Sequence, residues 1–378
     1  MRSRLLILLL LVACSSAPPA KKQVEAKGET TPGRRGYSSF GGDSPVGVIP
    51  DAVLHDAQRN KDLHLSIDYP TKAGSYPVIV FSHAVGSSQR GYVGLSAQWA
   101  SYGYIVIRPW HADAATTAIV NDAVEDWTKQ TADDLRNRVR DMTLVLDSLG
   151  ELESKYPELE KKLDREKIGV GGHAYGALTA LVIGGMRTFP AGQATSYADP
   201  RVKAVLAMSP QGTNASKGIT RDSWATIKVP VLYMTGSNDN GTEENETPAW
   251  RHEAFESSPA GDKWFVSLAD ARQMTFAGRF GISDQEARRR ADASGPAVNP
   301  APRDPRDPRD PGVDPSQAQM RNRSRGSALS SFDRDRNIFN VVKATTTAFF
   351  DAYLRNEKAA KDYLDKLGQR TDLTVEKK

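Results

Sequence analysis

Gly172-His173-Ala174-Tyr175-Gly176 is the stretch in which this chain's chemistry would have to lie. A short apolar strand, Ile168–Val170, runs into it, and an apolar helix, Ala174 to about Gly185, leaves it. A glycine-flanked turn from strand to helix is the setting in which the pattern G-x-S-x-G presents a serine nucleophile. Gly172 and Gly176 hold the two glycine positions, and Ala174 stands where the serine would be. Farther on, Met234-Thr235-Gly236-Ser237-Asn238-Asp239 leaves a late strand, where the acid of a Ser-His-Asp set belongs. Asp270-Ala271-Arg272-Gln273 follows the last strand, where the histidine belongs. Positions 174, 239 and 273 therefore respect the chain order nucleophile, acid, histidine, with only Asp239 of the expected type.

These replacements decide the chemistry. Ala174 has no lone pair with which to attack a carbonyl. Gln273 is a neutral amide that neither takes nor returns a proton near pH 7. An enzyme stripped of its triad retains roughly 10³ to 10⁴-fold over water from its remaining groups, which is trace activity for an ester. Other histidines could act only on water. His83 and His111 are possible pocket residues: His111 could face the pocket mouth, while His83 reads better as a structural hydrogen-bonder beneath the oxyanion loop, and His173 is expected to point back into the sheet. Asp239, Asn240, Glu243, Glu244 and Glu246 could hold a weak calcium ion, but read better as a solvated acidic loop. No metal and no cofactor is expected.

The elements that must position these residues are legible. Val78–Phe81, Tyr104–Ile107, Val202–Met208 and Val231–Met234 are almost continuously apolar, as buried parallel strands are. Leu63, Leu65, Ile67 and Tyr69 alternate with polar residues, which predicts a half-buried, antiparallel strand near the sheet edge. Trp264–Leu268 is one more strand. Leu135, Val139, Met142 and Leu146 mark one face of a helix, and so do Ile338, Val341, Val342, Thr345 and Phe349. The strand–helix alternation predicts an α/β protein: a mostly parallel, doubly wound sheet with helices on both faces, a three-layer sandwich. The loops 110–131 and 188–200, with Trp110, Trp127, Phe189 and Tyr197, are expected to shape the pocket.

With these features in place the chain resembles bacterial α/β hydrolases related to dienelactone hydrolase and platelet-activating-factor acetylhydrolase. Phe81-Ser82-His83, Gln98-Trp99-Ala100-Ser101-Tyr102-Gly103-Tyr104, Gly172-His173, Tyr175-Gly176-Ala177, Asp199-Pro200-Arg201-Val202-Lys203-Ala204-Val205, Met208-Ser209-Pro210 and Pro230-Val231-Leu232 carry the likeness. It implies an oxyanion hole from the N–H groups of Val85 and Tyr175. The departures fall on the site: Ala174 for serine, Gln273 for histidine, and Ala84 for the glycine after the oxyanion-loop histidine.

The flanks bound the biology. Met1-Arg2-Ser3-Arg4, an apolar run from Leu5 to Val12 and Ala13-Cys14 form a secretory signal. Leu11-Val12-Ala13-Cys14 resembles a bacterial lipobox, which implies cleavage after residue 13 and lipid on Cys14, the chain's single cysteine. Residues 14–45 then read as a flexible tether, 46–285 as the hydrolase domain, 286–327 as a disordered insertion built on three Arg-Asp-Pro units, and 328–370 as C-terminal helices of the same domain. The 50 basic and 46 acidic residues leave a net charge of +4 in 378 residues, which gives no electrostatic case for nucleic acid. The expectation is an exported bacterial lipoprotein on the periplasmic side of the envelope, at the outer membrane, with its lipid as membrane partner and an acyl or ester group as ligand. It would be a degenerate hydrolase used for binding or scaffolding. The alternative is an active carboxylester hydrolase that uses non-standard residues such as Asp239 with His111.

Overall fold

In the computed structural model, residues 37, 41–87, 91–113, 130–280 and 315–378 are described. The signal sequence, Cys14, most of the tether, Trp127 and the Arg-Asp-Pro run lie outside them. The described residues fall in one unit, Gly36–Lys378.

The sheet is built from β1 (Val46–Asp56), β2 (Lys61–Pro70), β3 (Tyr76–Ser82), β4 (Ile105–Pro109) and β5 (Leu163–His173). The two-residue strands β6 (Arg187–Thr188) and β7 (Thr195–Ser196) form a separate ribbon. The main sheet continues with β8 (Val202–Met208), β9 (Val231–Gly236), β10 (Lys263–Leu268) and β11 (Leu373–Lys377). Its order is β1-β2-β4-β3-β5-β8-β9-β10-β11. The six central strands, β4 to β10, run parallel, and β1, β2 and β11 are antiparallel. This is an α/β-hydrolase fold.

The helices are α1 (Val93–Ser101), α2 (Ala132–Asp147), α3 (Leu149–Lys155), α4 (Tyr175–Ile183), α5 (Pro248–Glu256), α6 (Gln273–Phe276), α7 (Pro315–Leu354) and α8 (Lys358–Lys366). Alternation along the strands feeds two separate cores. Val78, Val80, Ile105 and Ile107 pack with α2, α4 and α5. Ile79, Phe81, Tyr104 and Val106 pack with α1, α7 and α8 on the opposite face. Burying one such Val, Leu, Ile or Phe side chain stabilises by about 1.5–3 kcal/mol, so both layers are held firmly. The long helix α7 is fastened by specific contacts. Trp99 of α1 donates to Thr346 Oγ1 at 3.1 Å and meets Phe350 edge to face, while Asp351 accepts from Tyr104 Oη at 2.6 Å.

Three details differ from the sequence reading. β1 and β11 were not foreseen. In β1, Pro50-Asp51 interrupts the alternation, and the pairing with β2 shifts register between Ile49 and Ala52, as a bulge does. The buried face of α7 centres on Phe339, Val342, Thr346, Phe349 and Phe350, with Ile338 and Val341 only partly buried beside it. Helix α7 also begins at Pro315, inside the stretch expected to be disordered.

Candidate functional site

β5 delivers the chain to the elbow. His173 is its last residue, Ala174 follows at φ 53, ψ −117, and Tyr175 opens α4. Positive φ is uncommon for a residue with a Cβ. Here it is imposed by close backbone packing on both sides. A Cβ on Gly172 would collide with the Gly176 carbonyl, and one on Gly176 with the Ser82 carbonyl at the end of β3. The Ala174 N–H also donates to Met208 O of β8 at 2.9 Å. Two other non-glycine residues with positive φ, Ser209 (φ 48) and Asp270 (φ 62), lie just beyond the C-terminal ends of β8 and β10. Strained backbone thus gathers at the strand ends where an α/β sheet carries its site.

The loop after β3 is held from behind by a buried polar network. Ser82 Oγ lies 2.9 Å from His111 Nε2, and His111 Nδ1 lies 2.8 Å from Asp141 Oδ2. Asp141 is also paired with Arg59 at 2.7 Å. Arg138 Nη1 donates to Ser82 Oγ at 3.2 Å and to His83 O at 2.6 Å, and the same guanidinium grips both carboxylate oxygens of Asp113. His83 Nδ1 bonds to Ala84 O at 2.6 Å, so it carries the proton, and Nε2 accepts from the His111 N–H at 3.2 Å.

Burial and the Arg138 charge hold His83 well below the usual imidazole range, and the same two causes lower His111. Burial alone would raise the Asp141 carboxyl. The hydrogen bond from His111 and the charges of His111, Lys61 and Arg59 outweigh that and hold it low. Ser82, His111 and Asp141 stand in the hydrogen-bond order of a catalytic relay. Ser82, however, is fully buried and lines none of the cavities around the elbow.

The acid position is also occupied structurally. Asp239 is fully buried, with Oδ2 accepting from Thr235 Oγ1 at 2.9 Å and Oδ1 lying 3.0 Å from Arg251 Nε. Burial raises its pKa against the pull of Arg251. Arg251 further donates to the carbonyls of Asp239, Ser209 and Pro210. Asp239 and Arg251 therefore tie α5 to the ends of β8 and β9. Asp239 does not pair with His111, whose partners are Ser82 and Asp141. Glu246 of the same acidic loop turns inward and accepts from the N–H groups of Thr242 (2.7 Å) and Glu243 (3.2 Å). Among the described residues no group of three His, Cys, Asp or Glu side chains is placed to hold a metal.

His83 bonds within the oxyanion loop and beneath it, as its structural reading has it, whereas His111 sits behind that loop rather than at the pocket mouth. His173 lines the pocket instead, contrary to the expectation that it points into the sheet. A cavity of ≈ 30 Å³ is lined by Ala84, Val85, Tyr92, His173, Gln273 and Arg279, among others. That is room for one or two waters, or for the end of a ligand. Ala84 N–H donates to Tyr92 Oη at 3.2 Å, and Tyr92 Oη lies 2.8 Å from His173 Nδ1. His173 is neutral, its pKa lowered to about 3 by burial and by the charge of Arg251. A hydrogen bond to the Gln273 main chain works against these two causes without outweighing them. Gln273 is 4 % exposed, and its Oε1 has no partner among the described residues.

Of the two residues assigned to the oxyanion hole, Val85 lines this cavity, and its N–H meets no backbone acceptor among the described residues. Tyr175 lines a larger cavity of ≈ 540 Å³ with Leu135, Leu178, Phe189 and Tyr197. The loop 188–200 shapes that second cavity, while residues 114–129 of the other loop lie outside the described residues. Ala174 is 1 % exposed and lines neither. Sequence reasoning missed Arg138 and Asp141. Their signal was present, as charged residues inside the apolar stripe Leu135, Val139, Met142 and Leu146 of α2.

Comparison with known proteins adds the family context. Residues 52–142 match the family of platelet-activating factor acetylhydrolase, isoform II. The chain is similar to platelet-activating factor acetylhydrolases. It is 28 % identical over 142 residues to that of Cavia porcellus, covering 30 % of this chain and 33 % of the relative. To that of Bos taurus it is 28 % identical over 138 residues (28 % and 31 % covered), and to that of Canis lupus familiaris 27 % over 145 (30 % and 33 %). The chain thus spans about a third of the length of the curated relatives it matches. These matches support a hydrolase-like family of this type. The family match contains Ser82, His83, His111, Arg138 and Asp141, and ends before Ala174, Asp239 and Gln273.

Proposed function

We propose that this chain is a catalytically degenerate α/β hydrolase that binds a ligand or scaffolds a partner without turning over an ester. The observation that carries the reading is Ala174. The elbow keeps the strained backbone that presents a nucleophile, φ 53 and ψ −117, around a side chain with no nucleophile. Two further features support it. Gln273 supplies no base, and Asp239 is engaged by Arg251 rather than turned to an imidazole. The relatives are named for acetyl hydrolysis, which fits an ancestral pocket for an acyl group.

Hydrolysis of p-nitrophenyl butyrate, with a fluorophosphonate probe alongside, tests the reading. Background-level turnover and no labelled serine are expected. Labelling of any serine, Ser82 included, or turnover well above background would sink it. Restoring Ala174→Ser with Gln273→His tests the ancestry of the pocket, and a recovered esterase is the expected result.

We further propose that the chain is exported and held at the bacterial cell envelope by lipid on Cys14. The support is the sequence Leu11-Val12-Ala13-Cys14 after a basic and apolar start. Among the described residues no helix is long and apolar enough to cross a membrane. Incorporation of labelled palmitate that disappears in Cys14→Ser is the expected outcome. A chain that takes up no label overturns the assignment.

A further inference from the structure

His252 of α5 stands between two carboxylates on two different elements. Its Nδ1 lies 3.2 Å from Glu256 Oε1, one turn on along the helix, and its Nε2 lies 2.9 Å from Glu376 Oε1 on β11. The ring is partly buried, edge to face with Phe265 of β10 at 4.4 Å between centroids and against Phe255 of its own helix at 5.6 Å. A neutral imidazole carries one N–H, so it answers one carboxylate and turns a lone pair toward the other. The imidazolium donates from both nitrogens and answers both. Nε2 makes no aligned hydrogen bond, so charge rather than hydrogen-bond direction holds the Glu376 contact.

The two elements joined here differ in how firmly they are held. β11 is the outermost strand and pairs with β10 alone, from Trp264 opposite Lys377 to Leu268 opposite Leu373, and its side chains are half-buried or exposed. Helix α5 is rooted in the body of the protein. Arg251, next to His252 in the chain, donates to the carbonyls of Asp239, Ser209 and Pro210. Further charges share the corner. Lys378 Nζ donates to Glu256 O at 3.0 Å and lies over the Phe255 ring at 4.7 Å. Burial lowers its pKa, and Glu256 and Glu376 pull it back up. Lys263 of β10 is drawn on by Asp262 beside it. With a neutral His252, two glutamates therefore face Lys378, and a proton on His252 balances them.

We propose that His252 is a pH-dependent clasp, which fastens β11 to α5 when its ring is protonated and loosens it when the ring is neutral. Imidazole is the side chain that ordinarily changes charge between pH 5 and 8. The strand so held covers the edge of β10, whose N–H and C=O groups would otherwise be open to pairing with another chain. The clasp works in the opposite sense to the buried neutral rings of His83, His111 and His173, whose protonation opposes folding.

Hydrogen exchange of the Leu373–Lys377 amides in the full chain tests this, read as protection factors so that the intrinsic effect of pH is divided out. Protection of β11 is expected to rise about threefold or more from pH 7.5 to pH 5.5, with no such rise in β8 and β9. His252→Gln keeps a donor that does not titrate, and it is expected to abolish the rise. Glu376→Gln, at an exposed position on the strand side, is expected to do the same and decides the matter should the first variant not fold. Protection that is flat or falls in acid, a rise that β8 and β9 share, or a rise that persists in either folded variant would each overturn the assignment.

Discussion

On the oxyanion-loop side of the elbow, Ser82, His83, His111, Arg138 and Asp141 are all at most 6 % exposed, and each has a hydrogen-bond or ion-pair partner. On the α6 side, His173 is equally buried and is held by Tyr92 and the Gln273 main chain, while the buried Gln273 side chain leaves its Oε1 without a partner among the described residues. The first cluster lies within the family match, residues 52–142, and the second lies beyond it. The difference separates two reasons for burying polar groups. A satisfied network fixes a loop and specifies one packing arrangement. An unsatisfied atom stores a demand that a water or a ligand can meet.

The comparison can be broken at several points, of which backbone contact is the most severe. Gly176→Ala would drive a Cβ into the Ser82 carbonyl, and the expected loss exceeds about 4 kcal/mol. It would show as insoluble or unfolded protein by circular dichroism. A variant melting within a few degrees of the parent would mean that elbow and oxyanion loop are not in backbone contact.

Arg138→Met removes the donor shared by Ser82, His83 and Asp113, and leaves Asp113 unpaired. A loss of about 3–5 kcal/mol is expected from breaking a largely buried ion pair, read from urea unfolding. A loss under about 1 kcal/mol would show that the network is ornamental to stability.

Stability should also fall with acid through the buried imidazoles. His83, His111 and His173 have folded values lowered from 6.5, His173 to about 3. Below pH 6.5 the unfolded chain takes up protons that the folded chain refuses. Each such histidine therefore contributes stability that is complete above 6.5 and is lost at about 1.4 kcal/mol per pH unit on acidification. Asp239, raised by burial, works in the opposite sense and offsets part of that slope. Denaturant melts at pH 7, 6 and 5 measure the balance, and a profile that is flat or rises toward pH 5 would contradict neutral burial.

The smallest effect is expected on the other side. Gln273→Leu removes an amide whose oxygen has no partner, so the midpoint should stay within about 1 kcal/mol or rise. A loss comparable to that of Arg138→Met would place Gln273 among the satisfied groups.

The fold could be read because its parallel strands are nearly continuous apolar runs and its helices repeat apolar residues at helical spacing. The elbow was legible for a local reason: Gly172, Gly176 and the strand before them are adjacent in sequence. The partners were not legible. Asp239 has the right type in the right order, yet its use is set by Arg251, and nothing in the spacing of residues 239 and 251 announces an ion pair. His173 faces the cavity because Tyr92, remote in the chain, fixes its Nδ1 side. Sequence order places a residue on an element, whereas partners contributed by distant segments decide which way a polar side chain is used.

The backbone at Ala174 has a consequence for the history of such a protein. A conformation of this kind costs of order 1–3 kcal/mol, and here it surrounds a side chain with no nucleophile. It is retained because Gly172, Gly176, the Ser82 carbonyl and Met208 O set it from outside, leaving the residue in the socket little say. Side chains at 174 and 273 can therefore be exchanged while every intermediate sequence remains folded. A lineage can leave catalysis and return to it along a path that selection against misfolding does not close.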